Sequence, residues 1–131
     1  MKNAPNNPLI QGEIADYYLD YNGILISYSK NIKRTIANIT ANIELVKSIT
    51  LNKKVPLLIY LSKSPIPARE TQRFATTQLP LVYTAMAMVS KPGLAQLIMA
   101  LLFKFKEPPI PMKNFTNDNE AKAWLKQYIT L

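Results

Sequence analysis

A chain of 131 residues is long enough to bury one core but not two, and 48% hydrophobic residues with only 3 glycines exclude a disordered or fibrous chain. Its formal charge is +8, and it has neither cysteine nor histidine. That excludes a disulfide framework, a thiolate nucleophile, a zinc knuckle and any Ser-His or Cys-His triad, leaving carboxylate, lysine or tyrosine chemistry or an oxygen-ligated Mg²⁺ or Ca²⁺ site. Only 8 acids are available for such chemistry and no two form a motif, so the expectation is no cofactor, no metal and no enzyme.

The 16 Lys and Arg residues would attract nucleic acid or an anionic membrane surface if gathered on one face. They cluster only at Lys33-Arg34, Lys53-Lys54 and Lys104-Phe105-Lys106 and are otherwise scattered. A solvated basic surface is the expectation, and nucleic acid is not a favoured partner. Residues 1–12 read as a flexible tail and 13–131 as one domain. The first eleven residues are rich in Asn and Pro and lack the apolar run of a secretory signal, which points to the cytoplasm.

In chain order, two runs of β-branched and aromatic residues between Tyr17 and Ser29 flank Asn22-Gly23, a pair suited to the positive φ angles of a two-residue hairpin turn. Tyr17, Leu19 and Tyr21 alternate onto one face, as do Ile24, Ile26 and Tyr28 on the next strand, so one side of the ribbon is expected to be buried. Ile36, Ile39, Ile43, Val46 and Ile49 then recur at helical spacing. Thr, Asn and Ile are mediocre helix formers, so packing must hold this helix, which closes at Lys53-Lys54. Residues 55–61 form an apolar run of the kind found in a strand buried on both faces.

Pro65 and Pro67 interrupt the chain before a weaker helix over 68–78, with Thr71, Phe74, Ala75 and Gln78 on one side. Residues 82–89 read as a second buried strand of small residues and Met. Ser90-Lys91-Pro92 is a good helix start. In the following helix, 93–106, the stripe Leu94, Leu97, Ile98, Leu101, Leu102 and Phe105 faces the core. Ala95, Met99, Ala100 and Phe103 make the opposite side apolar too. A membrane span over 81–103 is broken by Ser90-Lys91-Pro92-Gly93, and each half is too short to cross. A helix this apolar must cover its second face, since each large side chain buried contributes about 1.5–3 kcal/mol. A second copy of the chain is the expected cover, with Ala95, Met99, Leu102 and Phe103 as the dimer or apolar-ligand face.

Glu107-Pro108-Pro109-Ile110-Pro111 is a stiff connector able to hold a cis bond. Residues 112–115 read as a short edge strand. Asn117 is placed to cap the last helix and Glu120 to complete a capping box, and Ala121, Trp124, Leu125 and Tyr128 give that helix one apolar face. The order β-β-α-β-α-β-α-β-α implies an α/β fold: a mixed, largely parallel sheet of about five strands with a leading antiparallel hairpin, packed against about four helices.

This order resembles that of the STAS domains (sulfate transporters and anti-sigma-factor antagonists), the SpoIIAA-like proteins and the related Sec14-like lipid-binding fold. The residues that carry the likeness are the strand Leu57-Leu58-Ile59-Tyr60-Leu61 running through a loop into a helix, then Pro108-Pro109-Ile110-Pro111-Met112-Lys113-Asn114-Phe115 followed by Glu120-Ala121-Lys122-Ala123-Trp124-Leu125. Such proteins commonly carry an acid at the end of the strand before the central loop, where this chain has Tyr60. The phosphorylation-switched members place a Ser or Thr at the start of the next helix, where the helix dipole and free N–H groups receive a phosphate. Here that start is Pro65-Ile66-Pro67-Ala68, so the resemblance makes Ser62 and Ser64 candidates for a displaced switch, against the plainer reading of turn and capping residues.

Ser62, Lys63, Ser64, Arg69 and Arg73 therefore form the candidate switch or partner loop, the two arginines spaced to clamp an anion near the serines. Trp124 reads as core at its helical spacing. The hairpin tyrosines read as packing rather than a nucleic-acid platform, since Asp16 and Asp20 would repel phosphate. Met86, Met88, Met99 and Met112 read as core filling rather than a ligand pocket. The functional expectation is a non-enzymatic, homodimeric interaction or regulatory module with a regulatory protein partner. The alternative is a small domain binding lipid or another apolar ligand.

Overall fold

The computed structural model describes residues 8–90 and 108–129. The helix expected over 93–106, with Ala95, Met99, Leu102 and Phe103, lies outside them.

Strand β2 (Ala15–Leu19) pairs antiparallel with β3 (Leu25–Ser29), from Ala15 opposite Ser29 to Leu19 opposite Leu25. The hairpin is present, but its turn is a three-residue one. Gly23 takes φ 88° while Asn22 is not among the residues of positive φ. The cause is Asp20: one carboxylate oxygen accepts the N–H groups of Asn22 and Ile24, both at 2.9 Å, which shifts the tip to Tyr21-Asn22-Gly23. Tyr21, expected on a strand face, stands at that tip and is 77% exposed. Ile10–Gln11, within the stretch read as a tail, forms a short β1 paired antiparallel with β2.

From β3 onward the sheet is parallel. Strands β4 (Val55–Tyr60), β5 (Tyr83–Val89) and β6 (Met112–Phe115) follow it, and the spatial order is β1-β2-β3-β4-β5-β6. Pro56 in a central strand would ordinarily cost a ladder bond. Here Val55 faces Tyr83 and Pro56 faces Ala85, so Thr84 is an extra residue on β5 and the missing N–H falls at a bulge. No peptide bond among the described residues is cis, which corrects the expectation for the Pro-rich connector over its described part.

Helix α1 (Ile36–Thr50) matches its periodicity and opens with a reciprocal cap between Thr35 and Asn38. It ends at Leu51, whose φ of 56° and ψ of 43° are left-handed. Glycine is the usual residue there, and a leucine in that conformation costs about 1–2 kcal/mol. The side chain is 84% exposed, so burial does not offset the cost. Helix α2 (Arg69–Val82) runs four residues past its expected end and through Pro80. Val82 is buried in the core and Leu79 packs against it. Pro80 in the last turn removes one helical bond, and packing outweighs it. Helix α3 (Asp118–Leu125) is capped by Asn117, whose side chain accepts from the Glu120 N–H at 2.9 Å, and runs into a 3-10 turn, Lys126–Tyr128.

Both faces of the sheet are covered. On one, Tyr17, Leu25, Leu57, Met86 and Met88 meet Ile39, Ile43 and Val46 of α1 and Val82 of α2. On the other, Tyr18, Ile26, Leu58, Ala85 and Ala87 meet Ala121 and Leu125 of α3. The expectation that one side of the hairpin would be buried thus understates the packing. Met86 and Met88 fill the core, and Trp124 packs half-buried between Phe115 and Tyr128, 5.9 and 5.0 Å between ring centres.

Candidate functional site at the carboxyl ends of the parallel strands

Strands β3 to β6 run the same way, so the loops after them gather at one edge of the sheet, the edge where open α/β folds meet their ligands. Arg34 organises this edge. Its guanidinium donates to the carbonyls of Lys30 and Ile32 at 2.7 Å, to Ile14 O at 3.0 Å and to Ser29 Oγ at 2.8 Å. Burial pulls its pKa down from the usual value, opposed more weakly by the charge interaction with Tyr17. Five donors in a planar fork reach four acceptors that a lysine could not span. Alongside, Lys30 Nζ donates to Gly12 O at 2.6 Å and pairs with Asp16 at 3.0 Å. Asn38 donates to Lys33 O at 3.0 Å. The loop over 30–35 is held at both ends.

The next loop, 61–68, is fastened to the ends of β3 and β5. The Ser62 hydroxyl donates to the Ser29 carbonyl at 2.8 Å, and the Leu61 N–H donates to Val89 O at 3.1 Å. Ser62 therefore bridges two strand ends and does not cap α2, whose N-cap Ala68 has no side-chain bond. Ser64 is half-buried, while Lys63, Arg69 and Arg73 are exposed. Topology brings all five to one rim, along with exposed Ile32, Lys33, Ile36 and Ile66. The pair Lys33-Arg34 was visible in the sequence only as charge. That Arg34 turns inward has no local signal, because its acceptors lie as far back as Ile14.

On the α3 face of the same edge, Tyr28 stacks on Tyr60 with ring centres 5.0 Å apart and Tyr18 stands 6.5 Å beyond Tyr28. The Tyr60 hydroxyl donates to Asp118 Oδ2 at 2.8 Å, so an acid does reach the end of β4, supplied by the start of α3. Burial, then the bond and charge of Asp118, push the Tyr60 pKa well up, and burial first of all pushes Tyr18 up to about 12. On the opposite face Tyr17 lies within 2.7–3.0 Å of the Asn42 amide, and burial raises both Tyr17 and Tyr83. These groups are held as neutral packing and hydrogen-bonding elements. No group of three or more His, Cys, Asp or Glu among the described residues is placed to hold a metal ion.

The model of a family described as a domain of unknown function, DUF7793, matches residues 17–129. The chain belongs to that family. Among solved structures it is similar to an uncharacterised DUF3478-family protein with a SpoIIAA-like fold from Shewanella loihica PV-4. The identity is 15% and the TM-score 0.55, over 95% of this chain and 98% of that one. The likeness shows the fold, and the α/β mixed sheet with its leading antiparallel hairpin is SpoIIAA-like. No curated protein matches the chain. No helix among the described residues is long and apolar enough to cross a membrane.

Two outcomes follow. Arg34→Ala is expected to destabilise the fold by about 2–3 kcal/mol, read as a lower urea midpoint at unchanged slope, with Arg34→Lys recovering less than half. The four raised tyrosines hold their protons in the folded state, whereas the unfolded chain loses them near the ordinary value of 10.0. The stability they contribute is complete below that pH and lost as pH climbs through the folded values. The urea midpoint should fall above about pH 10 together with the rise of tyrosinate absorbance, and more gently in Tyr18→Phe.

Proposed function

We propose that the chain is a non-enzymatic protein-interaction module that offers a partner the rim made by loops 30–35 and 61–68 and the first two turns of α2. The observation that carries this reading is the fastening of the second loop by Ser62 to the end of β3, where the first loop begins. On the same rim Lys63, Arg69 and Arg73 are exposed, as is Ile66 at 57%. A rim held in place before binding loses little entropy on docking. Lys33, Lys63, Arg69 and Arg73 against exposed Glu70 favour an acidic partner surface. The groups whose ionisation is displaced are engaged in packing and loop fastening, which supports a binding rather than a catalytic role.

The test is cross-linking in cells with the wild-type protein and with K63E/R69E/R73E, followed by binding measurements on the partner identified. An acidic partner that saturates, weakens with salt and loses at least about tenfold in affinity for the variant supports the reading. Equal binding by the variant, or turnover of a substrate by the purified protein, overturns it.

The sequence over 93–106, apolar on both sides through Ala95, Met99, Leu102 and Phe103, favours a homodimer as the working form. Size-exclusion with light scattering is expected to give twice the chain mass of 14.8 kDa. A monomer carrying co-purified lipid in native mass spectrometry would favour apolar-ligand binding instead, and an empty monomer would remove both.

A further inference from the structure

At the opposite end of the sheet the entries to β3, β4 and β5 stand side by side, because Leu25 is in register with Leu57 and Val55 with Tyr83. Each entry carries an exposed apolar side chain: Tyr21 at the hairpin tip, 77% exposed, Leu51 after α1, 84%, and Leu81 before β5, 53%. Core packing explains none of them. Leu51 is also left-handed, at the position where glycine would end the helix without strain. A residue that strains the backbone and contributes nothing to the core carries two separate local costs, and an observed outlier of that kind is a reason to look for a binding role.

Among the described residues most of the charges around these side chains are positive. Lys53 and Lys54 sit between Leu51 and β4, and Lys126 opens the 3-10 turn, which reaches this end through the bond from Thr84 Oγ1 to Tyr128 O at 2.8 Å. Lys47 lies one turn inside α1, paired with Glu44 at 3.7 Å. The other acid at this end among the described residues, Asp20, has a carboxylate oxygen turned onto its own turn's N–H groups. Apolar tips ringed by lysines match an anionic bilayer surface: the tips enter the boundary of the acyl chains while the lysines meet acidic headgroups. A tyrosine suits that depth, since its ring is apolar and its hydroxyl stays wet.

We infer that this end, with Leu51 and Tyr21 as inserted tips and Lys53 and Lys126 as headgroup contacts, docks the protein on an anionic lipid surface. The inference does not rest on the proposed rim, which lies at the other end of the strands.

The test is co-sedimentation of the full chain with vesicles containing roughly one-third phosphatidylserine and with vesicles of pure phosphatidylcholine. Binding is expected to the first and to be weak or absent with the second. Leu51→Gly is the diagnostic variant, because it removes the apolar tip and the backbone strain together. It should keep or raise the melting temperature while lowering vesicle partitioning about tenfold. K53E/K126E should lower it further, and R69E/R73E at the far rim should leave it within about twofold. No binding to the anionic vesicles, unchanged binding of Leu51→Gly, or equal loss in R69E/R73E would overturn the inference; the last would reduce it to attraction by net charge.

Discussion

Parallel strands present two apolar faces, and a sheet made of them is stable only when both are covered. In β4 the alternation Leu57, Leu58, Ile59, Tyr60 sends successive side chains to opposite layers, and β5 does the same with Met86, Ala87 and Met88. The two layers are filled differently. Large residues meet α1 and α2 on one face. On the other, Ala85 and Ala87 face Ala121 and Leu125 of α3, small residues that let a short helix lie close to the strands. The faces are thereby used up. The edges are blunted as well, since β1 has two residues and β6 four, one of them Lys113. Among the described residues, the surfaces left for recognition are the two ends of the strands.

Period was the reliable guide in the sequence. The isoleucines at helical spacing gave the start and face of α1, although the helix ends at Thr50, short of the expected close at Lys53-Lys54, and the apolar runs gave β4 and β5, because these patterns are set by the same burial that forms the elements. Deviations occur where a distant partner overrides a local rule. Asn22-Gly23 suggested a two-residue turn, but the Asp20 carboxylate moves its tip. The weaker helix was expected to end at Gln78, the last residue of its side Thr71, Phe74, Ala75 and Gln78, but Leu79 and Val82 pack into the core and carry α2 through Pro80. The position of Ser62 was legible as a loop serine beside the strand end. Its bond to Ser29 was not, because 33 residues separate donor and acceptor.

The two ends differ in how they are built. At the carboxyl end, Arg34, Lys30, Asn38 and Ser62 spend their hydrogen bonds on holding loops, so the exposed cations are displayed from a fixed backbone. A fixed display suits a shaped partner, whose own charges must fall in register. At the amino end the exposed groups are single apolar tips, one at a turn, one at a helix terminus and one in a last helical turn. They need a common depth more than a shared geometry, and a bilayer boundary asks for no more than that.

Distance keeps the two ends electrostatically apart. A strand of six residues, such as β4, spans about 20 Å, which is more than twice the screening length of about 8 Å at physiological salt. Charges at one rim therefore contribute little to the potential at the other, and the net charge of +8 does not act as a single field. Among the described residues the charges divide into a carboxyl-end set interleaved with Glu13, Asp16, Glu70, Asp118 and Glu120 and an amino-end set in which Lys47, Lys53, Lys54 and Lys126 stand with Asp20 and Glu44. The first set has the mixed signs that select among partner surfaces. The second has an excess of lysines that suffices for attraction to a plane of anions, so the scattered basic residues of the sequence become two surfaces of different character once the strands set them at opposite ends.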